Sequence, residues 1–182
     1  MNSGTISMRY ARALLAYAKE QGAEELIYEN MTRLLHTLVI MRELPVLLRA
    51  PSLSKRERVE LICSAVEDNP VFKRFAELVV KEEREELLPF MAHGYISLYR
   101  EDKNILAVDF TTAVEASDEL KENVVAMFTG NGVAKVELTC RVNPSILGGF
   151  VCEAASKRLD ASVAGSLENI RKQLVKENRK LV

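Results

Sequence analysis

The chain has 182 residues, 48% hydrophobic and 28% charged, with a formal net charge of -1. That balance belongs to a folded globular protein, as one ordinary domain or two small ones, and shows no sign of disorder. It lacks the positive field that draws a protein to nucleic acid, so no nucleic-acid partner is expected.

From Ile6 to about Asp102 the apolar spacing is helical. Ile6, Tyr10, Ala13, Leu14 and Tyr17 line one face of a first helix that Gly22 ends. A second starts near Glu24 and turns Leu26, Ile27, Met31, Leu34, Leu35 and Leu38 inward. Pro45 and Pro51 bracket a short third, because proline cannot continue a helix from within. Ser54-Lys55-Arg56-Glu57 reads as a capping box for a fourth, whose buried side is Val59, Leu61, Ile62, Ala65 and Val66. Asn69-Pro70 starts a fifth, with asparagine as N-cap and proline in the first turn, filled by Phe72, Phe75, Ala76, Leu78 and Val79. A sixth follows from about Leu88 and carries Met91, Tyr95, Ile96, Leu98 and Tyr99. The spacing predicts an N-terminal six-helix bundle over about residues 1–103.

After Lys103-Asn104 the period falls to about two. Ile105 to Val114 reads as a strand, β-branched and aromatic. Ser117-Asp118-Glu119 starts a helix, since acidic side chains suit its positive end, and Gly130-Asn131-Gly132 stops it. Val133 to Val142 is a second strand and Gly149 to Ala154 a third. A fourth opens near Leu159, and Asp160 or Ser162 caps a last helix to about Asn178. The expected fold class is α+β: the bundle, then a small C-terminal α/β domain over 104–182 with about three to four strands and two helices.

The chemistry-bearing residues do not assemble into a catalytic set. Cys63, Cys140 and Cys152 are far apart with no C-x-x-C pair, and His36 and His93 lie far from them, so reduced thiols and neither metal nor cofactor are expected. The stretch N-P-S-I-L-G-G-F lacks the lysine and hydroxyl of a phosphate loop. Pro144, Gly148 and Gly149 are expected to make a structural turn between strands. The run K-E-E-R-E-E, residues 81–86, is expected as a solvated helix end or loop. The net-basic stretch from Glu168 onward reads as a solvated helical terminus, or else as a contact for an acidic helix or lipid headgroups. No apolar run approaches the ~18 residues that cross a bilayer, and the start, M-N-S-G-T-I-S-M-R-Y, has no leader pattern. Membrane association is therefore expected only through partners.

The first helix is apolar or small around most of its circumference, with Ala11, Ala13, Ala16 and Ala18 beside Leu14, Leu15 and two tyrosines. The fifth, V-F-K-R-F-A-E-L-V-V, is similarly rich. Side by side they would form a groove for an amphipathic helix, or both are simply core.

Three segments in order resemble a known family. R-Y-A-R-A-L, T-T-A-V-E-A-S-D-E-L, and V-N-P-S-I-L-G-G-F-V followed by L-D-A-S-V-A-G-S-L-E-N-I-R-K-Q-L are similar to the δ subunit of bacterial F-type ATP synthases, whose mitochondrial relative is the oligomycin-sensitivity-conferring protein. The resemblance spans nearly the whole chain. It implies a non-catalytic stator protein, one copy in a hetero-oligomeric complex, peripheral at the cytoplasmic face of a bacterial inner membrane. The bundle would sit on the catalytic head and grip an N-terminal helix of an α subunit between its first and fifth helices. The C-terminal domain would bind the membrane-anchored b subunits, so that rotor torque drives ATP synthesis. The resemblance makes Tyr10, Ala13, Leu14, Tyr17, Phe72, Phe75, Leu78 and Val79 the candidate α-subunit contacts, some of which must face the core instead. A helical adaptor or regulator of another complex is the alternative. The chain departs from the family pattern at Asn143, commonly aspartate, at Ala155-Ser156-Lys157, where a Gly-Asp turn is frequent, and at Ala164, commonly arginine.

Overall fold

The structure is a computed structural model that describes residues 3–41, 43–48, 50, 53–129, 133–155 and 157–178. Pro51, the Gly130-Asn131-Gly132 stop, Ser156 and the last four residues of the basic terminus lie outside the described residues. The chain divides into two compact units, Met1–Asp102 and Lys103–Val182.

The first unit is helical: α1 (Ser3–Glu20), α2 (Glu24–Ile40), α3 (Leu44–Leu47), α4 (Lys55–Ser64), α5 (Pro70–Lys81) and α6 (Leu88–Asp102). The third helix is a single turn with Pro45 near its start. The starts follow the side-chain chemistry. Ser54 Oγ accepts from the Glu57 amide at 3.3 Å and Glu57 Oε2 accepts from the Ser54 amide at 2.7 Å, closing the capping box. Asn69 Oδ1 accepts from the Val71 and Phe72 amides at 2.8 and 3.3 Å.

Helix α6 packs against both α1 and α2. Gly94 makes the α1 contact close: a Cβ there would stand 3.1 Å from the Ala11 Cβ and 3.0 Å from Met8 Sδ. Against α2, the Tyr99 ring stacks on Tyr28 at 4.5 Å, and the Tyr95 hydroxyl donates to the Glu24 carbonyl at 3.0 Å. Ile27, Met31, Leu34 and Leu38 form the buried stripe of α2, while Leu26 and Leu35 are half-buried. Between α5 and α6 the acidic run does not behave as a uniformly solvated segment. Glu82, Glu83 and Glu86 are exposed, but Glu85 is buried, its carboxylate 3.2 Å from Arg58 Nη1. An arginine on α4 supplies the charge that lets this glutamate leave water.

The second unit is a four-stranded mixed sheet with two helices: β1 (Ile105–Thr112), α7 (Asp118–Phe128), β2 (Lys135–Val142), β3 (Phe150–Ala154), β4 (Lys157–Asp160) and α8 (Val163–Asn178). The strand order is β2-β1-β3-β4. Strands β1 and β2 are parallel, with Ile105 opposite Lys135, which requires the crossover that α7 supplies. Strands β3 and β4 join antiparallel, with Thr112 opposite Phe150 and Val151 opposite Asp160. The core gathers Val108 and Phe110 of β1, Val124 of α7 and Cys152 and Ala154 of β3. The α+β class read from the sequence is the one the chain adopts.

Candidate partner groove

Helix α1 uses two faces. Ala11, Leu15 and Ala18 are buried in the bundle. Tyr10, Ala13, Leu14 and Tyr17, spaced along the neighbouring face, form one wall of a groove of about 390 Å³. The other wall is a row on α5: Arg74, Phe75 and Leu78. Next to it on the same helix, Lys73, Glu77 and Lys81 belong to a separate depression shared with α4.

Six of the eight candidate contact residues therefore line the groove. Phe72 and Val79, 1% and 0% exposed, are core residues and do not. Leu14 and Phe75 form a nearly sealed floor, whereas Leu78, 46% exposed, stands at the open side. An apolar trough walled by two helices suits the apolar stripe of a third.

Periodicity alone missed the arginines. Arg9 and Arg74 line the groove. The Arg74 guanidinium lies 5.4 Å from the Tyr17 ring centre and donates from Nη1 to its hydroxyl at 3.3 Å. Arg84, just beyond α5, stands in the same relation to Tyr10, at 5.5 and 3.1 Å. Both tyrosines are thus braced by a cation from the α5 side. The available signal was adjacency: Arg74 immediately precedes Phe75 and sits four residues before Leu78.

The glycine pair lies in the other unit, in a turn that seats α8. Pro144 opens a 3-10 turn, Pro144–Ile146, capped by Asn143, whose Oδ1 accepts from the Ser145 amide and hydroxyl at 3.1 and 2.6 Å. Leu147 follows with φ of 67°. The Gly148 carbonyl accepts from the Val163 amide at 3.0 Å. At Gly149, φ is 72°, and a Cβ there would overlap the carbonyl oxygen of Ala161. The same Asx arrangement recurs just before α8. Asp160 Oδ1 accepts from the Ser162 amide and hydroxyl at 3.0 and 2.6 Å, and Ser162 Oγ accepts from the Gly165 amide at 2.9 Å. Ser162 is the helix cap and Asp160 holds it in place.

The family profile of the "ATP synthase delta (OSCP) subunit" matches residues 6–174. The chain belongs to that family. It is 39% identical over 185 residues to ATP synthase subunit delta of Phocaeicola vulgatus, covering all of both chains. To the same subunit of Moorella thermoacetica it is 31% identical, covering 96% of this chain and 98% of that one. A chain in a cryo-EM structure of the Toxoplasma gondii mitochondrial ATP synthase hexamer shares the fold, with a TM-score of 0.71 at 19% identity over 93% of this chain and 97% of that one. Membership makes the chain a structural, non-catalytic subunit of the F-type ATP synthase stator. Among the described residues no helix is long and apolar enough to cross a membrane, and membrane association is through the complex.

Proposed function

We propose that the α1/α5 groove receives the N-terminal helix of an α subunit, while the Lys103–Val182 unit holds the b subunits of the peripheral stalk. The chain then ties the catalytic head to the membrane-anchored stalk, at the cytoplasmic face of a bacterial inner membrane. Rotor torque is used for ATP synthesis because the head cannot turn with it.

The observation that carries the first contact is the open apolar trough itself, with Leu78 exposed beside a floor of Leu14 and Phe75. The second contact is supported by α8, where Val163, Leu167 and Ile170 are exposed at helical spacing. Leu147 is exposed on the turn bonded to the start of that helix.

A peptide of the cognate α-subunit N-terminus is titrated into the full chain by calorimetry. Tight saturable binding that Leu78→Asp abolishes supports the groove assignment, and Leu78→Asp is the cleaner probe because Leu14 is buried. No binding at micromolar concentrations overturns it. For the second unit, Leu167→Asp with Ile170→Asp is expected to release soluble b subunits in a pull-down and leave the peptide bound.

A further inference from the structure

The charge around the α1/α5 groove is one-sided. Among the side chains that line it, Arg9 and Arg74 are cations and none is a carboxylate. Arg84 adds a third cation at the Tyr10 end. Arg74 and Arg84 donate to tyrosine hydroxyls, neutral acceptors that leave the positive charge uncompensated. Among the described residues none of the three is ion-paired. Glu77, three residues beyond Arg74 on α5, faces the other depression with Lys73 and Lys81.

We propose that the groove selects its occupant by charge as well as by shape: the bound helix carries Asp or Glu on the polar flanks that meet Arg9, Arg74 and Arg84. This rests on the reading of the groove as a helix site. The tyrosine rings hold two of the guanidinium groups in place, so those side chains lose little further freedom when a carboxylate arrives. Charges at an exposed rim act chiefly on encounter, so they govern association rate and salt dependence. The apolar floor governs dissociation.

The experiment uses the full chain, the α-subunit N-terminal peptide, and the same peptide with every Asp and Glu changed to Asn and Gln. Association and dissociation rates are measured across a salt series for the native chain and for Arg9→Gln, Arg74→Gln and Arg84→Gln, singly and together. Circular dichroism confirms that each variant keeps native helix content. Each single change is expected to slow association about two- to five-fold, with dissociation little altered. The triple variant and the neutral peptide are expected to lose most of the salt dependence. Native association rates in the triple variant, salt-independent binding by the native chain, or tight binding of a cognate segment without carboxylates would each overturn charge selection and leave the groove assignment standing. Absence of any peptide binding overturns both.

Discussion

The side chain of Asn30 clamps the backbone of Glu67: Nδ2 donates to the carbonyl at 2.9 Å, and Oδ1 accepts from the amide at 3.1 Å. Asn30 is fully buried, and the bond ties α2 to the segment between α4 and α5. Asn30→Ala leaves both backbone groups without partners and is expected to lower stability by about 2–4 kcal/mol. Arg33→Ala, which removes only exposed pairs, with the Glu67 carboxylate at 3.1 Å and the Glu29 carboxylate at 3.7 Å, is expected to change it by less than about 1 kcal/mol. The readout is direct. All five tyrosines lie before residue 103 and the chain has no tryptophan, so tyrosine fluorescence in urea reports on the helical unit alone.

The Arg58–Glu85 pair predicts an asymmetry between removing one charge and removing both. The two side chains are 18% and 7% exposed, and Arg58 Nε is buried without a partner. Glu85→Ala strands a guanidinium and is expected to lower stability by about 3 kcal/mol. The double change Arg58→Met with Glu85→Leu is expected to recover most of that loss, because the pair's attraction does little more than offset its own dehydration. A double variant as unstable as the single one would contradict this account.

Gly149→Val is expected to damage the second unit specifically. The substitution meets the Ala161 carbonyl and forces a β-branched residue into left-handed backbone. A loss of about 3 kcal/mol or more follows. Hydrogen exchange should speed up in β1, β3 and α8, while the tyrosine transition of the helical unit stays where it was.

Asp160 predicts the acid limb of that unit's stability. The Ser162 hydroxyl and then its amide hold the carboxyl below the usual aspartate range, with a smaller pull from Arg158. A depressed folded-state pKa means that the unfolded chain takes up the proton first. The contribution is complete above the ordinary aspartate pKa near ~4 and disappears as pH falls through the folded value. Asp160→Asn keeps an acceptor for Ser162 and removes the titration. The difference between the two stability–pH curves should therefore be flat above about pH 5 and shrink below it. A difference that grows on acidification would refute the assignment.

Helix starts are legible in the sequence because a cap is short-range chemistry. Ser54, Asn69 and Ser117 find the amides three or fewer residues away that their oxygens can reach. The strands are legible from their period, and the parallel pairing of β1 with β2 follows from the helix between them. The division of the apolar faces is not legible. Periodicity records that Phe72, Phe75, Leu78 and Val79 avoid polar positions, but Phe72 and Val79 meet the bundle while Phe75 and Leu78 meet the groove. Glu85 is hidden for a related reason. Its neighbours in the acidic run look the same, and only Arg58, 27 residues earlier, distinguishes it. The groove arginines are not legible either, because their meaning lies in what is missing beside them, a carboxylate among the lining side chains.

Where Gly94 of α6 faces α1, its bare backbone takes the Ala11 methyl and the Met8 thioether directly. Long side chains between helices act as springs: they tilt and change rotamer under force, and the helices slide. The Ala11 methyl, fixed to its own backbone and resting on that of Gly94, has no such slack. That joint lies about a quarter turn round α1 from the groove wall. A pull applied to a helix seated against Tyr10 and Leu14 would therefore pass into α6 with little give. In a part that must hold still while its neighbour turns, one missing side chain supplies stiffness.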